Sequence, residues 1–250
     1  MNPPQTVGPD EYATKIRALL RQEQRVLAVV ENQRFLGIVN RQDIMLITST
    51  KSNLKARDIM SQPVITVAPD EDVYSIGRKM IKHDAAAVPV TDISQLLGVV
   101  FMEDVIHAVY RPSQKKVRDI MTTEVVACDH TEEITKVWNL MEFHKLTGLP
   151  VTEDVSTSHR RYTRLAGFVT LKDILQRGDL RPGADRQRFT HPPPVEKAMT
   201  RTPKYVYPDD SIDRCVELFE KHDIGRLPVV KNGFELLGIV DREDVLKTYL

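Results

Sequence analysis

The hydrophobic positions along this chain repeat one order of periods. In its clearest copy, Ile65-Thr66-Val67 is a short extended run closed by Ala68-Pro69-Asp70. Val73, Ile76, Gly77, Met80 and Ile81 follow at helical spacing, which predicts an amphipathic helix with one buried face. Ala87-Val88-Pro89-Val90 reads as a buried strand, Asp92 to Gln95 as a turn, and Leu97 to Phe101 as the second strand of a hairpin. A helix returns from Asp104 to Val109. The same order recurs around Ile134, Val137, Leu140 and Met141, after an Asp129-x-x-Glu132 pair that resembles a capping box. It recurs again around Ile212, Cys215, Val216 and Phe219, and an N-terminal copy begins with Tyr12, Ile16, Leu19 and Leu20.

Short polar punctuation keeps these copies in register. Gly37-Ile38-Val39-Asn40-Arg41-Gln42-Asp43, Gly98 to Asp104, Gly167-Phe168-Val169-Thr170-Leu171-Lys172-Asp173 and Gly238 to Asp244 share a Gly-to-Asp offset of six. Val88-Pro89-Val90, Leu149-Pro150-Val151 and Leu227-Pro228-Val229 lie upstream, with Leu27-Ala28-Val29 as a version without proline. Asp58-Ile59-Met60, Asp119-Ile120-Met121 and Lys197-Ala198-Met199 lie further upstream, and the Met-to-Pro distance is 29 in each (60 to 89, 121 to 150, 199 to 228). A fixed register of this kind marks an internal repeat. Four units are expected, at residues 7–50, 56–110, 117–176 and 195–250, with 177–194 as a stiff linker ending in Pro192-Pro193-Pro194. Shifting Met60 back by one repeat falls before the first residue, so unit one is read as lacking its entry segment. Unit three carries eight extra residues between Pro150 and Gly167, with a basic tip at His159, Arg160 and Arg161; a solvated loop and a phosphate or partner contact are both open.

Composition narrows the function classes. Lys plus Arg equals Asp plus Glu, 35 against 35, so no global field recruits nucleic acid or an anionic membrane. Cys128 and Cys215 sit in apolar surroundings without metal-ligand spacing, which points to reduced core thiols and a cytoplasmic protein. No apolar run approaches membrane-spanning length, and the N-terminus has no signal pattern. Gly-x-Ser-x-Gly, a phosphate loop and paired Cys/His spacing are all missing, so neither an enzyme nor a metal site is expected. His83 and His222 occupy matching helix ends, where a capping role is expected.

A strand into Asp-Ile-Met, an amphipathic helix, Leu-Pro-Val, then Gly-Ile-Val-x-Arg-x-Asp resembles the cystathionine-β-synthase (CBS) domain. Four copies resemble two tandem pairs, or Bateman modules, a layout also found in gamma subunits of AMP-activated kinases. The resemblance implies an α/β (α+β) fold of four β-α-β-β-α units packed pairwise through their sheets. It also implies that clefts between paired units bind adenosyl compounds (AMP, ADP, ATP or S-adenosylmethionine) as regulatory ligands, with no catalytic cofactor.

Carried onto this sequence, the resemblance assigns Thr170 and Asp173 to ribose, with Met199, Lys204 and Ile224 of unit four as adenine wall. A carboxylate can accept both vicinal ribose hydroxyls, and a hydroxyl three residues earlier can add a further bond. The reciprocal cleft would use Asp244 and Asp241, with Met121, Val126 and Leu146 as wall; Asp241 there adds a negative charge. In the first pair Asn40 and Asp43 face Ile65 and Ala85, whereas Phe101 stands at the hydroxyl position before Asp104, so that cleft is expected to be empty or altered. Arg226 matches a family phosphate-binding position, with a plain surface arginine as the alternative. The expected role is regulatory, acting on a separate effector protein; a ligand-free scaffold in which the aspartates only cap helices is the alternative, and nucleic-acid binding has only the basic tip and Lys115-Lys116 behind it. The connector allows one intramolecular assembly or a homodimer.

Overall fold

The computed structural model describes residues 4–22, 24–45, 47, 52–158, 160–177 and 192–250. The expected linker at 177–194 falls largely outside them, as does His159. The chain divides into two compact units, residues 1–110 with 246–250, and residues 111–245.

The first unit runs β1 (Thr6–Val7), α1 (Ala13–Leu20), β2 (Val26–Glu31), β3 (Arg34–Asn40), α2 (Arg41–Met45), α3 (Ala56–Ile59), α4 (Val73–Lys82), β4 (Ala87–Asp92), β5 (Gln95–Phe101) and α5 (Met102–Val109). Its five-stranded sheet has the order β1-β2-β3-β5-β4. The second unit runs β6 (Cys128–Asp129), α6 (Ile134–Phe143), β7 (Gly148–Ser156), β8 (Arg161–Thr170), α7 (Leu171–Gln176), α8 (Ile212–His222), β9 (Arg226–Lys231), β10 (Glu235–Asp241) and the first four residues of α9 (Arg242–Lys247), with strand order β6-β7-β8-β10-β9. Within each sheet two antiparallel hairpins meet edge to edge at a single register position, Arg34 opposite Gln95 and Arg164 opposite Glu235. A parallel contact flanks every hairpin: Thr6 with Ala28, Val67 with Val90, Cys128 with Val151 and Val206 with Val229. The first repeat therefore has this short strand like the other three.

The predicted apolar stripes are the core. Ile16, Leu20, Leu27, Met80 and Val88 are fully buried in the first unit, and Ile134, Met141, Leu149, Ile174 and Ile212 in the second. Each such side chain stabilises by about 1.5–3 kcal/mol relative to exposure. Cys128 and Cys215 are free and buried within the second unit, and burial pushes both thiols up to about 12. His83 follows α4 as its C-cap, and His222 ends α8. The turn out of each helix is made by the next residue, Asp84, Lys145 or Asp223, with φ between 51° and 54°.

One helix-start expectation is corrected. Asp129 accepts from Thr131 N–H and hydroxyl, and α6 begins only at Ile134, so Asp129 and Glu132 form no capping box. The start of α6 is instead met by main chain: Val195 N–H donates to Glu132 O at 2.8 Å, and Ile134 N–H donates to Pro193 O at 2.9 Å. The starts of α8 and α1 are met in the same way by residues 115–117 and 54–56. Helix α4 has no such bridge among the described residues, and there Asp72 caps Ser75 N–H at 3.0 Å with its own side chain.

Candidate ligand-binding site

Each hairpin delivers its second strand straight into a helix, and a carboxylate closes the junction. Asp173 Oδ2 accepts from Thr170 N–H at 2.8 Å and from Thr170 Oγ1–H at 2.6 Å, while Asp173 N–H donates to Thr170 Oγ1 at 3.2 Å. Asp241 N–H donates to Asp244 Oδ2 at 3.0 Å, and Asp244 N–H donates to Asp241 Oδ1 at 3.1 Å. Asn40 N–H donates to Asp43 Oδ2 at 2.7 Å, and Asp43 N–H returns to Asn40 Oδ1 at 3.1 Å. Phe101 N–H donates to Asp104 Oδ2 at 2.9 Å, but a phenyl ring cannot return the bond. In this sense the aspartates are helix caps. Asp173 Oδ1 takes no hydrogen bond from a described residue, so one carboxylate oxygen stays uncommitted. Burial raises the Asp43 carboxyl above its usual range, partly offset by Asn40 N–H.

The other half of each cleft arrives by main-chain pairing. Phe168 N–H donates to Thr200 O at 3.0 Å and Thr200 N–H to Phe168 O at 2.8 Å, which brings Met199 over Gly167. Thr122 and Ile239 exchange the same two bonds at 2.9 Å, with Met121 over Gly238; Ser61 and Ile38 do so with Met60 over Gly37. A Cβ at any of the three glycines would lie 2.7–2.8 Å from a carbonyl oxygen of the crossing segment, so only glycine fits. Each crossing leads two or three residues along the strand to Thr170, Asp241 or Asn40. Of the expected wall residues, Met199 is buried, Met121, Val126, Leu146, Ile224, Ile65 and Ala85 are half-buried, and Lys204 is exposed.

The basic candidates separate. Arg226 is no plain surface arginine: Nη1 donates to Gly148 O at 2.9 Å, and Nε lies 3.8 Å from Asp241 Oδ2. Gly148 is the register partner of Thr170, so the guanidinium stands beside the unit-three box. Gly148 carries a repeat signal of its own: it occupies, two residues before Pro150, the position that Arg226 occupies before Pro228.

The insertion tip is different. The eight extra residues lengthen the hairpin, so that Ser156 pairs with Arg161. Arg161 lies nine residues from Thr170 along one strand, about 30 Å at ~3.3 Å per residue, beyond the reach of a nucleotide held at Thr170. Arg160 is ion-paired with Glu235 at 3.0 Å and stacks on Tyr162 at 4.4 Å. The expectation that Arg160 and Arg161 could reach a phosphate in this cleft is thereby corrected.

In the first unit, Arg25 ion-pairs with Glu103 and lies 5.9 Å from the Phe101 ring centroid. A cation and an aromatic ring thus stand at the junction that has no hydroxyl.

Four stretches match the CBS domain family model: residues 1–48, 56–111, 117–178 and 195–250. Protein MJ1225 of Methanocaldococcus jannaschii is 26% identical over 212 residues, 79% of this chain and 70% of that protein. Its crystal structure, described there as that of a proposed archaeal homologue of g-AMPK, superposes with a TM-score of 0.86 at 23% identity, covering 100% of this chain and 97% of that one. Inosine-5'-monophosphate dehydrogenase of the same organism is 32% identical over 124 residues, 49% of this chain but only 23% of the dehydrogenase. With four matched stretches carrying the same strand-to-helix junction, the chain belongs to the CBS domain family.

Proposed function

We propose that this chain is a regulatory protein that binds adenosyl ligands in the clefts between paired CBS repeats and signals their presence to a separate effector protein. The observation that carries the reading is the double hydrogen bond between Phe168 and Thr200, which brings the Met199 segment of repeat four to the Thr170–Asp173 junction of repeat three. A cleft formed from two repeats gives a ligand purchase on both, so occupancy favours one inter-repeat geometry; differential affinity for two geometries is what couples ligand to partner. Thr170 and Asp173 would take ribose, Met199 and Ile224 the adenine face, and Arg226 a phosphate. No helix among the described residues is long and apolar enough to cross a membrane.

A second reading, a scaffold without ligand, draws on the fact that one oxygen of every junction aspartate already caps its helix. A thermal-shift panel with AMP, ADP, ATP, S-adenosylmethionine and adenosine separates the two. A ligand at ~100 times Kd adds about 2.7 kcal/mol and raises the melting temperature. A flat panel would remove the adenosyl reading and leave the scaffold.

A further inference from the structure

Arg226 is held on two sides, by Gly148 O at 2.9 Å and by Asp241 Oδ2 at 3.8 Å. Arg226 and Asp241 are cross-strand partners on β9 and β10, and both side chains are largely shielded, 23% and 32% exposed. Charges so placed attract more strongly than a fully exposed pair. Asp241 makes no other ion pair among the described residues. Its two oxygens do separate things: Oδ1 accepts Asp244 N–H at 3.1 Å, and Oδ2 faces the guanidinium.

We propose that Asp241 is a specificity-determining residue that restrains Arg226, so that the Thr170–Asp173 cleft favours adenosyl ligands lacking phosphate over phosphorylated ones. This rests on the adenosyl reading above and reverses the ribose-binding role that the resemblance gave Asp241. A phosphate arriving beside Thr170 competes with Asp241 for the one guanidinium and brings its own negative charge toward the Asp241 carboxylate. A ligand without phosphate leaves the pair intact.

The chain itself contains the control substitution. Asn40 occupies the position equivalent to Asp241 and still accepts Asp43 N–H, at 3.1 Å, through a neutral side chain. Asp241→Asn therefore keeps the junction and removes the negative charge that faces Arg226.

The test is isothermal titration of the full chain with AMP and with adenosine, in wild type, Asp241→Asn and Arg226→Gln, with Asp173→Ala marking which step belongs to this cleft. Asp241→Asn should tighten AMP by up to about fivefold, the scale of one partly exposed ion pair, and change adenosine less than about twofold. Arg226→Gln should weaken AMP and spare adenosine. Equal weakening of both ligands by Asp241→Asn would mean that Asp241 holds ribose and would overturn the proposal, as would unchanged AMP affinity. If neither ligand binds wild type or Asp241→Asn, the adenosyl reading itself fails.

Discussion

A Cβ added to Gly167 would lie 2.6 Å from Met199 Sδ and 2.8 Å from Thr200 O, so these two repeats approach as closely as a glycine permits. A methionine sulfur can swing aside, but the carbonyl is part of the Phe168–Thr200 ladder and cannot. Gly167→Ala should therefore lower stability by about 1–3 kcal/mol, the usual range for overpacking. The same variant should bind adenosyl ligands more weakly, because the ladder sets where Met199 stands. Urea unfolding and ligand titration of this variant check both parts.

Asp173→Ala tests the junction. Losing the cap on Thr170 N–H should destabilise by ~1 kcal/mol, while losing Oδ1 should abolish the binding step assigned to this cleft. A variant that loses several kcal/mol without ligand would make Asp173 mainly structural.

Ile93 sits at the turn between β4 and β5 with φ 55°, fully exposed. A β-branched residue in the left-handed region is strained, and no burial offsets it. Ile93→Gly or Ile93→Asn should raise stability by about 1 kcal/mol, seen as a higher denaturant midpoint. In the β2–β3 turn Asn32, a residue type better suited to positive φ, takes φ 49°.

Burial raises the Asp43 carboxyl, so between its unfolded and folded pKa values the native state binds more protons than the unfolded chain. Its contribution is fully present below the unfolded value and is lost as pH rises through the folded one. Asp43→Asn keeps an acceptor for Asn40 N–H and removes the buried charge. The variant should gain stability over wild type at neutral pH and lose that gain in acid, measured as the midpoint difference at the two pH values.

Cys128 and Cys215 should resist iodoacetamide in the native protein at mildly alkaline pH, since thiols pushed up to about 12 carry almost no thiolate. Both should react promptly once the protein is unfolded in denaturant, as mass spectrometry would show.

Local patterning by itself determined the repeats of this protein. Apolar spacing marked Ile76, Ile134 and Ile212 as helix faces, and the six-residue Gly-to-Asp offset placed Thr170 and Asp173 at a strand-to-helix junction, because side-chain period and cap chemistry act within a few residues. Tertiary structure alone decided which group each charge meets. Arg226 is 78 residues from Gly148 and Arg160 is 75 from Glu235, and neither separation carries a periodic signal. The basic insertion looked suited to a phosphate beside Asp173, yet β8 is one extended strand that carries it some 30 Å away at ~3.3 Å per residue. Asp241 looked like a substitute hydroxyl, and the pairing of β9 with β10 set it against Arg226. Strand pairing brings together residues remote in sequence, so the junctions were legible locally and their charge partners were not.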